Sequence, residues 1–75
     1  MNEDIITQRQ KIISQLIAAR LERGLTQSQL AEIIGTKRSN ISRIESGGQN
    51  ISLDMLLKIS EAVGKNLSVT LEERG

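Results

Sequence analysis

The chain has 75 residues, enough for one domain and too few for a deep core. It contains no Cys, His, Pro, Phe, Tyr or Trp, which excludes disulfides, the usual zinc ligand sets and a histidine general base. What remains is a core of Ile, Leu, Val, Ala and Met that must be helical and closely packed, or enlarged by a partner chain. The net charge of +1 hides an uneven distribution, because residues 36–47 hold Lys37, Arg38 and Arg43 against Glu45 alone. A local basic segment on a near-neutral body implies modest non-specific attraction to polyanions and reliance on directed contacts.

The first predicted helix starts near Asp4 and runs to Arg23. Glu3 and Asp4 suit its positive end, and Gly24 ends it by accepting a left-handed backbone. Ile13, Leu16, Ile17 and Arg20 share one face, so an arginine closes an apolar stripe. Either it snorkels at the helix edge or it meets a buried carboxylate. A second helix begins after Thr26, with Gln29 completing a capping box and Leu25 stapled to Leu30. Leu30, Ala31 and Ile34 face inward, and Gly35 stops the helix.

Thr36 is expected to cap a third helix running to about Ser46, with Ile41 and Ile44 inward and Gly47-Gly48 as its terminator. Glu45 follows Ile41 by four positions, so it also points toward the core. A carboxylate and a guanidinium, each on a buried face, are costly alone and tolerable as a bidentate pair. An Arg20–Glu45 ion pair is therefore expected between the first and third helices, fixing the angle of the third.

A fourth helix starts at Ser52 as N-cap, carries Asp54 in its first turn, staples Ile51 to Leu56 and ends at Val63-Gly64. Leu53, Leu56, Leu57, Ser60 and Val63 form one face. Met55, Ile59 and Ala62 form a second strip that either widens the core stripe or serves as an interface. Beyond it, Leu67, Val69 and Leu71 alternate with Ser68 and Thr70 at strand spacing. A lone strand has no partner in a helical chain, so residues 66–72 are expected to pair with the same strand of a second copy, or else to lie on their own helices.

Residues 26–46 have the spacing of two helices joined by a tight glycine turn, with the first turn of the second helix projected outward. That turn carries Lys37, Arg38, Ser39 and Asn40, and Arg43 lies one turn further on the outer face. Only the major groove of B-DNA is wide enough for a helix and distinguishes every base pair. Each charged residue taken alone could be simply solvated. On the first turn of a positioned helix, Arg38 and Ser39 instead read as base contacts, while Lys37 and Arg43 could also serve phosphates.

With LTQSQLAEIIG, ISRIESG and LLKISEAVG in place, the chain from Arg20 to about Leu71 resembles the Cro and phage-repressor helix-turn-helix family, also called XRE-type. The resemblance implies an all-α, lambda-repressor-like domain of four to five helices, homodimeric binding to a palindromic double-stranded DNA operator, and transcriptional repression. It places base contacts on Lys37, Arg38, Ser39 and Arg43. Phosphate contacts fall on Gln27, Asn40, Gly48, Gln49 and Asn50, and the family's buried pair falls on Arg20 and Glu45. The tail GKNLSVTLEERG departs from repressors that carry a fifth helix or a separate dimerisation domain. It is similar to antitoxin-type regulators, which adds a toxin protein as a partner and assigns dimerisation to Leu67, Val69 and Leu71.

The whole chain, 1–75, is thus expected to form one DNA-binding domain with its core at 26–46. A protein-binding module using the same fold without DNA is the alternative, separable by salt dependence. An enzyme is not expected: no carboxylate pair or phosphate-cradling loop is present, and no cofactor or metal is implied. Adjacent Glu72 and Glu73 would face apart on a strand. No apolar run approaches the ~18–20 residues of a membrane span, the polar, acidic N-terminus is no signal peptide, and a cytoplasmic, nucleoid-associated location is expected for a bacterial or phage protein.

Overall fold

The computed structural model describes residues 4–47 and 50–74. Four helices follow in chain order: α1 (Ile5–Glu22), α2 (Gln27–Ile34), α3 (Arg38–Glu45) and α4 (Leu53–Ala62). Local chemistry sets most of their ends. Asp4 caps α1 by accepting the Thr7 N–H at 2.7 Å, and that bond holds its carboxyl below the ordinary aspartate value. Thr26 and Gln29 satisfy each other's backbone N–H at the start of α2, at 3.0 and 2.8 Å. Ser52 caps α4 through the Met55 N–H at 3.0 Å. Gly35 ends α2 at φ +83°, a conformation that only glycine adopts without strain, and lets the chain turn directly into α3.

The start of α3 departs from expectation. Its N-cap is Lys37, which makes no side-chain capping bond. Thr36 lies one residue too early to reach the orphan N–H groups, and its Oγ1 instead accepts a 3.0 Å bond from Asn40 Nδ2. Gly47 follows the helix at φ +76°, whereas Gly48 lies outside the described residues.

The core is a single cluster of Leu16, Leu30, Ala31, Ile41, Ile44, Ile59 and Val63, flanked by Ala19, Ile34, Ile51, Met55, Leu56 and Ala62. α2 packs on both α3 and α4, and α1 packs on α3, so α3 is gripped from two sides. Ile41 and Ile44 are wholly enclosed, which anchors α3 from beneath. Small Ala31 is buried in the same cluster.

One expectation is corrected on α4. On α4 the inward stripe comprises Met55, Leu56, Ile59, Ser60, Ala62 and Val63, so the second strip belongs to the core. Leu53 and Leu57, expected on one face with the buried Ser60 and Val63, are exposed instead; the 3.6-residue period makes 55/59/62 and 56/60/63 adjacent rows of one stripe. The strand expected at residues 66–72 is not formed within one chain: residues 65–74 are irregular and no strand occurs among the described residues. A strand needs a hydrogen-bonded neighbour, and none of the described residues supplies one.

Candidate functional site

The outer surface of α3 follows from its buried side. Because Ile41 and Ile44 fill the core, Ser39 and Arg43 point away from it and Arg38 lies on the flank. Lys37, Arg38, Ser39 and Arg43 are all exposed. Three cations and a hydroxyl are therefore exposed on and just before α3. Lys37 is the N-cap residue, with extended backbone.

Behind this surface lies a buried polar network. Arg20 Nε donates to Glu45 Oε2 at 2.7 Å and Nη2 donates to Glu45 Oε1 at 2.8 Å, a bidentate pair. Arg20 Nη1 donates to the Leu25 carbonyl at 2.8 Å, tying in the turn that precedes α2. Side-chain exposures of 10% and 9% leave neither partner well solvated. Gln27 Nε2 adds a third donor to Glu45 at 3.0 Å. One carboxylate thus joins the end of α3 to α1 and to the first turn of α2.

The residues singled out for phosphate contact are accordingly split. Gln27 and Asn40 both donate an amide N–H inward, to Glu45 and Thr36 respectively, and both are half-buried. Asn50 is exposed, and its Oδ1 accepts from Arg9 Nη1 on α1. Gly48 and Gln49 lie outside the described residues. Arg9 was not singled out by its sequence position, although a signal exists: it precedes Ile13 by four residues, so the stripe 9, 13, 16, 20 begins and ends on an arginine.

The tail residues assigned to dimerisation are not alike. Leu67 is half-buried, while Val69 and Leu71 are 72% and 94% exposed. With Ile12, Leu16, Ala19, Leu56 and Val63, the tail lines an open groove of about 640 Å³ between α1 and α4. Lys65 anchors the start of the tail on Glu22 at 3.1 Å. Among the described residues no helix is long and apolar enough to cross a membrane, and no His/Cys/Asp/Glu cluster could hold a metal ion.

A helix-turn-helix family model matches residues 16–69, spanning α2, the glycine turn and α3 along with most of their support. The chain is 41% identical over 58 residues to an uncharacterized HTH-type transcriptional regulator of Haemophilus influenzae, covering 77% of this chain and 59% of that protein. It is 34% identical over 70 residues to an uncharacterized HTH-type transcriptional regulator of Rickettsia prowazekii, covering 92% of this chain and 54% of that protein. The matched region therefore spans only a little over half the length of these curated relatives. No solved structure matches significantly.

Proposed function

The chain belongs to the helix-turn-helix family of the Cro and phage-repressor type, and on that premise we propose that it regulates transcription by sequence-specific binding to double-stranded DNA. The observation that carries this reading is the exposed edge of Lys37, Arg38, Ser39 and Arg43 on a helix whose opposite face is locked into the core. A helix so presented fits the major groove, where arginine can donate to both acceptors of guanine and serine can donate or accept. Gln27, Asn40 and the 48–50 loop approach the flanking phosphates in this reading, and fix register rather than sequence.

One chain carries one reader helix, so a palindromic operator calls for two copies. Exposed Val69 and Leu71, following half-buried Leu67, suit pairing of residues 66–72 across a two-fold axis. Repression is the expected output. The tail favours an antitoxin-type regulator acting in the bacterial or phage-host cytoplasm, with a toxin protein as second partner. No catalytic step is assigned.

Base readout is tested at Arg38. Arg38→Ala should cost about 1–3 kcal/mol of operator affinity and relax preference at one position in each half-site. An Arg38→Ala protein with intact base preference contradicts the assignment. A protein-binding module on the same fold would lack the steep loss of duplex affinity expected between about 50 and 200 mM salt.

A further inference from the structure

Residues 46–53 run Ser-Gly-Gly-Gln-Asn-Ile-Ser-Leu and contain no lysine or arginine. A loop of that composition can offer amide donors to a phosphate but no charge, and the acidic residues bounding it are Glu45 and Asp54. Opposing charge must come from elsewhere in the fold. α1 delivers it: Arg9, 41 residues away in sequence, places Nη1 on the Oδ1 of Asn50.

That bond has two consequences. The carbonyl of the Asn50 amide is occupied by a guanidinium donor, so the NH₂ group faces away from Arg9. An anion approaching Asn50 then meets an amide donor backed by a full positive charge, where an unoccupied carbonyl oxygen would have repelled it. The stem of Arg9 is also fixed. Its Nε is buried and has no acceptor among the described residues. No acidic residue lies between Asp4 and Glu22 along α1, and the Asp4 carboxylate is engaged by the Thr7 N–H.

We infer that Arg9 is a DNA-backbone residue, which supplies from α1 the positive charge that the loop after α3 lacks and turns Asn50 into a donor toward the same phosphate. This rests on the proposed DNA-binding function and extends the contact surface from α2 and α3 onto α1. Arg9 carries no base information in this role, so its contribution is the same for every sequence.

The test uses the full chain, a duplex of mixed sequence and a duplex selected from a random pool, each titrated across about 50 to 200 mM salt. Arg9→Gln removes the charge and keeps a side-chain donor; Arg9→Lys keeps the charge. Arg9→Gln should weaken binding to both duplexes by a similar factor, about tenfold at the low-salt end, and reduce the salt slope by roughly one per bound copy. Arg9→Lys should retain the wild-type slope. Circular dichroism of both variants should match wild type, since Arg9 is only half-buried. An Arg9→Gln protein with the wild-type slope overturns the inference, even if its affinity is lower, because Arg9 would then only hold the loop. A wild-type protein whose binding to both duplexes is independent of salt, or absent, fails the underlying DNA-binding reading instead.

Discussion

Arg20 serves three elements at once, through two bonds to Glu45 on α3 and one to the Leu25 carbonyl before α2. Removing either member of the pair strands a desolvated charge, so Arg20→Ala or Glu45→Ala should each cost about 3 kcal/mol in urea unfolding. A loss below about half a kcal/mol would match an exposed pair and remove it from the scaffold. Gln27→Ala should lower thermal stability as well as DNA affinity, because its amide also donates to Glu45; an unchanged melting temperature would leave that bond without weight. The Arg20–Glu45 geometry was legible because each residue sits on an otherwise apolar helical stripe, where a lone charge demands a partner. The bonds of Gln27 to Glu45 and of Arg9 to Asn50 were not, since they depend on how far apart the elements come to rest.

At the level of the helix, the reader is positioned by its caps. Gly35 sits at φ +83° with nothing within 4 Å of where a Cβ would lie. Gly35→Ala should therefore cost about 1–2 kcal/mol through backbone strain alone, seen as a lowered melting temperature; an unchanged value would mean that the turn relaxes freely. The Asp4 cap carries a pH signature. Its folded-state pKa is lowered by the Thr7 N–H, so its stabilisation is present above the ordinary aspartate range and lost as pH falls through the lower folded value. An NMR titration should find the Asp4 midpoint below the ordinary aspartate value, and a midpoint at or above it would deny the cap. The caps at Thr26 and Ser52 were readable because each hydroxyl lies three residues before the N–H it accepts. Thr36 misled because a threonine one position early finds another partner, here Asn40. The inner face of α4 was half readable: two adjacent apolar rows look alike in sequence, and only packing against the other helices selects between their flanks.

For the molecule as a whole, the arrangement of α1 to α4 was legible and the tail was not. Helical periodicity is local, whereas a strand exists only with a partner, and alternation at Leu67, Val69 and Leu71 cannot specify where that partner lies. If these residues join two copies, deleting residues 66–75 should convert a dimer to a folded monomer by light scattering. A truncated protein that stays dimeric would move the interface elsewhere, with exposed Leu53 and Leu57 on α4 as the next surface to test. The most direct measurement of the DNA-reading role is selection of bound duplexes from a random pool by the intact chain. The expected product is an enriched palindrome whose half-site centres lie about one helical turn, roughly 34 Å, apart. A pool that emerges with no preferred sequence would contradict it.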